Sequence, residues 1–235
     1  MLEIAGLSVR YGSVHAVREI TLNAVPGRIT AILGANGAGK SSVIRAIAGL
    51  VSYEGAMKLG TRDLNGLAPN RRAALGLSCV LEGRRLFRHL TVEENLEIAW
   101  RFGERRANFS ILRDAVFTDF PILKQKRSIQ AGLLSGGQQQ MLILSSTTVR
   151  SPSCLLLDEP SLGLAPVIVQ QVFDFIVRTN REFNTTVLMT EQMAAIALRI
   201  SDYGYVMRQG ALVAEGDTEI LRQMQADGRL SKAYL

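Results

Sequence analysis

The segment Gly34-Ala35-Asn36-Gly37-Ala38-Gly39-Lys40-Ser41 fills every position of the pattern G-x-x-x-x-G-K-[ST], and it follows an apolar run, Ile29 to Leu33, that reads as a buried strand. Such a loop has to sit between a strand and a helix. Its glycines let successive backbone N–H groups turn inward around phosphates, while Lys40 is placed to reach the β- and γ-phosphates and the Ser41 hydroxyl to coordinate Mg²⁺. Ser42 to Leu50 is predicted as an amphipathic helix whose positive N-terminal end faces the same anions. A nucleoside triphosphate site over Gly34, Asn36, Gly37, Ala38, Gly39, Lys40, Ser41 and Ser42 is therefore expected.

A second segment, Cys154-Leu155-Leu156-Leu157-Asp158-Glu159, is an apolar strand ending in two carboxylates. Ligand groups in open parallel sheets collect at the carboxyl ends of strands, so Asp158 is expected to hold the metal and Glu159 to polarise an attacking water. Upstream, Leu134-Ser135-Gly136-Gly137-Gln138 opens an apolar helix predicted over Gln139 to Val149. A serine hydroxyl and glycine N–H groups at a helix start form an anion site, yet the first loop already holds the phosphates of its own nucleotide.

These residues resemble the signature motif of the ATP-binding cassette (ABC) family, and the resemblance covers nearly the whole chain. It implies an α/β fold, a P-loop NTPase core of ABC type with an N-terminal antiparallel β portion and an inserted α-helical sub-domain. It also implies head-to-tail pairing with a second ATPase subunit, identical or related, in which Ser135, Gly136, Gly137 and Gln138 of one chain meet the nucleotide on the other. Tyr11 stands where the family stacks an aromatic ring on adenine. Glu82 stands at the Q-loop position usually held by glutamine, where an acid can still ligate Mg²⁺ but, ionised, cannot donate a hydrogen bond. Gln192 takes the place of the switch histidine and is expected to share the catalytic work with Lys40 and Glu159. The chain has only His15 and His89, neither near that position.

Glu82 in its E-G-R-R stretch, Thr91-Val92-Glu93-Glu94-Asn95-Leu96, Pro160 to Pro166, the Glu191-Gln192 pair and the terminal Ala233-Tyr234-Leu235 together resemble one branch, the ATP-binding subunits of branched-chain amino-acid importers. That branch implies transmembrane permease partners, an indirect solute-binding protein and a place on the inner face of the cell membrane. Ser145-Ser146-Thr147-Thr148 departs from the branch pattern after the signature; these weak helix formers need packing to hold the helix. Two other classes stay open: an ABC-type regulatory module with little hydrolysis, which Glu82 and Gln192 leave conceivable, and a cytosolic ABC ATPase unconnected with transport.

Composition bounds the rest. A 235-residue chain with 47% hydrophobic residues can bury a sizeable core, and no apolar stretch approaches the roughly 20 residues that span a bilayer. The N-terminus runs straight into strand-like alternation rather than a cleavable signal. Cys79 and Cys154 lie in apolar strand contexts and read as free, buried thiols in a reducing compartment. The formal net charge of +6 reads either as a solvated surface, as at scattered positions such as Lys58 and Arg62, or as favouring an anionic partner, and Arg84, Arg85 and Arg88, clustered where family members meet their membrane subunits, are expected to face a partner. No RNA- or DNA-reading pattern occurs, and nucleic acid is not an expected partner. Residues 1–83 and 150–235 are expected to form the ATP-binding core and about 84–149 the helical sub-domain. Further helices are predicted at Val92 to Phe102, Phe109 to Phe120, Val167 to Thr179 and Ala194 to Ile200, and strands at Thr186 to Thr190, Tyr203 to Arg208 and Ala211 to Gly216.

Overall fold

The computed structural model describes residues 1–83, 86–103 and 108–234. Arg84 and Arg85 of the basic cluster, and Leu235, lie outside the described residues.

Two sheets carry the chain. The first is antiparallel, in the order β2-β1-β4-β5, built from β1 (Leu2–Tyr11), β2 (Val14–Ala24), β4 (Glu54–Leu59) and β5 (Arg62–Asp63). Along β1 the buried residues are Leu2, Ile4, Leu7 and Val9, so the inward parity changes once. The change falls at Gly6, whose φ of 61° admits a bulge where the register to β2 shifts. Between β2 and β4 the chain crosses to the second sheet as β3 (Ile29–Leu33) and leaves it through the glycine loop and α1 (Lys40–Ile47).

The second sheet has the order β10-β9-β3-β8-β7-β6, with β6 (Leu77–Val80) reached through the short α2 (Pro69–Ala74). Then come α3 (Val92–Arg101), α4 (Phe109–Asp119), α5 (Pro121–Gln125), a 3-10 turn (Ala131–Leu133) and α6 (Gly136–Thr148), after which the chain re-enters the sheet as β7 (Cys154–Asp158). The remainder alternates: α7 (Pro166–Phe183), β8 (Thr186–Glu191), α8 (Ala194–Ile200), the hairpin β9 (Tyr203–Arg208) and β10 (Ala211–Asp217), then α9 (Thr218–Ala226) and α10 (Arg229–Tyr234). The strands β9, β3, β8, β7 and β6 run parallel, and only the edge strand β10 is antiparallel.

Every residue of β3, β7 and β8 is buried, as expected of central parallel strands covered on both faces. On one face Ile29, Ala31 and Leu33 pack with the helices α3 to α9. On the other, Ile32 packs with Val43, Ile44 and Ile47 of α1 and with the antiparallel sheet. The core is thus two apolar layers divided by one sheet. Burial pushes the Cys154 thiol up to about 12, so it behaves as a small apolar residue.

Helix ends show where local sequence signals stop. α6 begins at Gly136, three residues earlier than the apolar pattern, because Ser135 caps it: its hydroxyl accepts from the Gln138 amide at 3.4 Å while Gln138 Oε1 accepts from the Ser135 amide at 3.2 Å. α7 runs four residues beyond Thr179 and stops at Asn184, which takes the left-handed conformation that ends helices. In α6 the expected weakness of Ser145 to Thr148 is met locally, since all four hydroxyls donate to carbonyls one turn back at 2.7 to 2.9 Å.

Arg72 ties α1 to the rest of the core. It is 2% exposed, and its guanidinium donates to the Ala46 and Ile47 carbonyls at 2.9 and 2.8 Å, to Leu67 O at 3.0 Å and to the Tyr53 hydroxyl at 3.0 Å. The last carbonyls of a helix have no partner within it, and a cation there also meets the negative end of the helix dipole.

Candidate nucleotide site

The parallel register brings three strand ends to one edge. Leu33 of β3 pairs with Glu191 of β8, and Thr190 of β8 pairs with Asp158 of β7, so the glycine loop, the two acids and the end of β8 are adjacent. The loop itself is wedged between backbones. A Cβ on Gly34 would stand 2.3 Å from Met207 O, and one on Gly39 would stand 2.3 Å from Ala16 O. Gly39 also holds φ 104° as the N-cap of α1, with no side chain occupying the first-turn N–H groups.

Lys40 is 4% exposed, and its amine donates to Gly34 O at 2.8 Å and Ala35 O at 3.0 Å while pairing with Glu159 Oε1 at 2.9 Å. One lysine therefore folds over its own loop and reaches the acid that follows β7, two strands away across β8. Ser41 Oγ donates to Asp158 Oδ1 at 2.9 Å, and the Thr190 hydroxyl donates to the same oxygen at 2.8 Å. The other oxygen, Asp158 Oδ2, is buried and has no hydrogen-bond partner. A buried carboxylate oxygen left open beside a serine hydroxyl suits a hard divalent cation held directly or through water. Among the described residues no group of three His, Cys, Asp or Glu side chains stands ready for a metal, so phosphate and water oxygens would have to complete its shell.

A cavity of about 420 Å³ brings together Tyr11, Asn36, Gly37, Gly39, Lys40, Ser41, Ser42, Glu82 and Glu159. Gly34 and Ala38 belong to the same loop beneath it, Ala38 being buried. Tyr11 ends β1 half-exposed, with its ring at the cavity margin. Glu82 is exposed, three residues after Cys79 of β6.

Gln192 is not in that cavity. It lies exposed in a larger neighbouring one of about 790 Å³ between α7 and α8, with Ser161, Glu191 and Met193; Glu159 and Leu162 line both. Ser135, Gly136, Gly137 and Gln138 line neither. They form the start of α6, where Lys126 Nζ also donates to Gln138 Oε1 at 3.2 Å and Gly137 leaves room for Ile168 of α7, 3.1 Å from where its Cβ would be.

Two residues of the site carry no motif of their own. Thr190 bridges Asp158 and the Glu159 amide, and Glu191, 2% exposed, accepts from the Ser161 amide at 3.1 Å. Desolvation pushes the Glu191 carboxyl pKa upward against the pull of its Ser161 hydrogen bonds. The apolar stretch Val187 to Met189, closed by Thr190 and the Glu191-Gln192 pair, is the signal that could have found them.

A strand, glycine loop and helix on a parallel sheet, with an aspartate whose second oxygen is buried and open and a second acid beside the loop lysine, define a P-loop nucleotide-binding ATPase. The family model described as "ABC transporter" matches residues 17–162, and the chain belongs to that family. It is 39% identical to the high-affinity branched-chain amino acid transport ATP-binding protein BraG of Pseudomonas aeruginosa, with 91% of each chain covered. It is also 33% identical to the probable branched-chain amino acid transport ATP-binding protein LivF of Archaeoglobus fulgidus, with 92% of each covered. Among solved structures, the dimeric post-hydrolysis ATP-binding cassette MJ0796 bound to ADP and Pi superposes with a TM-score of 0.83 at 21% identity, covering 93% of this chain and 99% of that one. The last likeness concerns the fold, which is that of an ABC cassette.

Proposed function

We propose that this chain is the ATP-hydrolysing subunit of a membrane importer whose cargo is a branched-chain or other hydrophobic amino acid. The observation that carries the chemistry is the pairing of Lys40 with Glu159 at 2.9 Å beside an Asp158 whose second oxygen is buried and unpaired. The relatives BraG and LivF carry the cargo class.

Lys40 has three donors, now shared among Gly34 O, Ala35 O and Glu159. Phosphate oxygens entering the loop compete for that amine, and the Glu159 carboxylate so released can accept a proton from water. Asp158 Oδ2, with Ser41, would hold Mg²⁺, which supplies charge neutralisation for the phosphates. Gln192 lines the neighbouring cavity together with the same acid, and there its amide can donate to a phosphoryl oxygen or accept from water. Tyr11 offers an aromatic face for a base. Glu82 offers a further oxygen to the metal or its water.

The start of α6 around Ser135 and Gly137 serves a nucleotide held by a second ATPase subunit, a reading in keeping with the MJ0796 cassette, which has the same fold and is a dimer bound to ADP and Pi. Residues 84–149 act as the helical sub-domain that faces transmembrane permease subunits, with exposed Phe87 and Arg88 on that route. The segment is held firmly: Asn95, 3% exposed, donates to the carbonyls of Phe87, Leu90 and Thr91 and accepts from the Phe87 amide. Among the described residues no helix is long and apolar enough to cross a membrane, so attachment would run through the permease. A solute-binding protein would deliver cargo on the far side.

The test is steady-state phosphate release by the chain reconstituted with its permease. Glu159→Gln should retain nucleotide binding and lose turnover, and uptake of radiolabelled leucine into vesicles should stop with it. Turnover at the native rate in Glu159→Gln overturns the catalytic assignment; ATP hydrolysis that no amino acid stimulates or follows overturns the cargo.

A further inference from the structure

The turn that carries Glu159 is held at both ends by the last two residues of β8. Glu159 sits at φ 47°, in the left-handed region that residues with a side chain rarely enter, and such a conformation persists only where its surroundings over-determine it. Here the surroundings are explicit. The Glu159 amide donates to the carbonyl and the hydroxyl oxygen of Thr190, both at 3.1 Å, while that hydroxyl donates onward to Asp158. Two residues later the Ser161 amide donates to Glu191 Oε1 at 3.1 Å, and the Ser161 hydroxyl adds a second interaction with the same carboxyl.

Glu191 is an unusual choice for a merely structural acceptor. It is 2% exposed, no ion pair reaches it among the described residues, and the nearby charge is another acid, Glu159, which repels it. Burying a carboxyl beside a second acid is costly unless it is well hydrogen-bonded. The bonds it has all run to the turn and to the backbone of Gln192. Because β8 is central and its register to β3 and β7 is fixed, both of its last residues are rigid with respect to the glycine loop and Asp158.

We infer that Thr190 and Glu191 are positioning residues for hydrolysis, clamping the Glu159–Ser161 turn from its two ends so that the strained Glu159 keeps its carboxylate at the shared edge of the two cavities. This rests on the reading of Glu159 as the water-activating acid. Thr190 fixes where the Glu159 peptide begins its turn, and Glu191 fixes where the turn ends. The same strand then hands on to Gln192, so one rigid element sets both groups that approach the attacking water.

Two measurements on the full chain test it. Amide hydrogen exchange by NMR, without nucleotide, reads the clamp directly: Glu191→Ala should speed exchange at the Ser161 amide by roughly tenfold or more, and Thr190→Val, which removes the hydroxyl but keeps the carbonyl acceptor, should speed it at Glu159 by a smaller factor of roughly two to five. Kinetics reads the consequence: Glu191→Ala should lower kcat roughly ten- to a hundredfold with KM for ATP within about twofold, and Glu191→Gln, which still accepts from Ser161, should stay within about threefold of native. Should Glu191→Ala not fold, Ser161→Ala, which removes only the hydroxyl contact and leaves the strand intact, should still show faster loop exchange and a smaller fall in kcat. Unchanged Ser161 exchange in both alanine variants, native kcat despite faster exchange, a loss in Glu191→Gln as deep as in Glu191→Ala, or nucleotide affinity falling in step with kcat each overturns the inference. Glu159→Gln run alongside separates the two readings: native turnover there sinks the role of Glu159, while exchange at Ser161 still reports on the clamp.

Discussion

Lys40→Ala tests how the site recognises phosphate, and the structure sets the size of the effect. The amine is almost wholly buried and makes three contacts, two with loop carbonyls and one with Glu159. In a nucleotide complex it would give charge-assisted hydrogen bonds to two phosphate oxygens, each worth about 1.5–3 kcal/mol, or about 3–6 kcal/mol together. Part of that is offset, because the native lysine must first give up Glu159, whose side chain is 12% exposed. The net loss should therefore lie nearer the lower end, roughly 10²- to 10³-fold in Kd at 1.4 kcal/mol per factor of ten.

The same geometry predicts a rescue. Without Lys40 the Glu159 carboxylate stands unpaired beside the phosphates, and two unit charges at about 4 Å repel by up to about 4 kcal/mol at an effective dielectric of 20. Neutralising the acid in Lys40→Ala/Glu159→Gln should recover about tenfold or more of the lost affinity. Isothermal titration calorimetry with Mg-ATP and Mg-ADP on the four proteins of the cycle measures both terms. Native affinity in Lys40→Ala refutes the phosphate contact, and a strictly additive double variant refutes the coupling between the two side chains.

Further outcomes follow from other parts of the molecule. Glu159→Gln should accumulate an ATP-bound dimer visible by size-exclusion chromatography, since the amide keeps shape but cannot take the water proton. Gln192→Ala should slow phosphate release by roughly ten- to a hundredfold with ATP affinity kept, the effect of one or two transition-state hydrogen bonds. Arg72→Met orphans the Ile47 carbonyl at the end of α1 and leaves the Ala46 carbonyl with the Gly49 amide alone; at about 1–3 kcal/mol for the orphaned acceptor it should lower Tm by roughly 3–10 °C in a thermal melt. Asp119 lies 2.6 Å from Arg178, yet burial pushes its carboxyl up to about 6, with Glu182 adding to the rise. The folded protein thus takes up a proton between about pH 6 and 4 that the unfolded chain does not, so stability relative to Asp119→Asn should grow as pH falls through 6 and level off below 4. A difference that shrinks on acidification would mean that the Arg178 pairing outweighs burial.

The phosphate loop and the Asp158–Glu159 pair were legible because each is local: strand, loop and helix follow one another within about twenty residues, and the chemistry is written in residue types. The bulge at Gly6 was not, since it depends on the register of β1 against two neighbours. The early start of α6 was readable from the Ser135–Gln138 capping box, but the apolar pattern begins later and masked it. Four consecutive hydroxyl residues in α6 looked like a weakness because helix propensity counts the residue and not the carbonyl one turn back that its hydroxyl can satisfy.

Thr190 and Glu191 mark the deeper limit. Apart from the Glu191-Gln192 pair at its end, the strand Thr186 to Glu191 does not announce chemistry, because the role of Thr190 and Glu191 comes from being on the middle strand between the phosphate loop and Asp158. The sequence puts β7 and β8 more than a hundred residues after β3, whereas the sheet sets the three side by side with Leu33, Asp158, Thr190 and Glu191 on one edge. Gln192 makes the same point from the other side. Its position in the motif order suggested the phosphate cavity, but one residue beyond Glu191 the chain has left the sheet edge, and Gln192 lines the cavity between α7 and α8, which adjoins the site at Glu159 and Leu162. If that separation persists with nucleotide bound, Gln192 can act on hydrolysis only by way of the acid or its water. Gln192→Ala and Glu159→Gln should then be far from additive in turnover while each leaves binding intact.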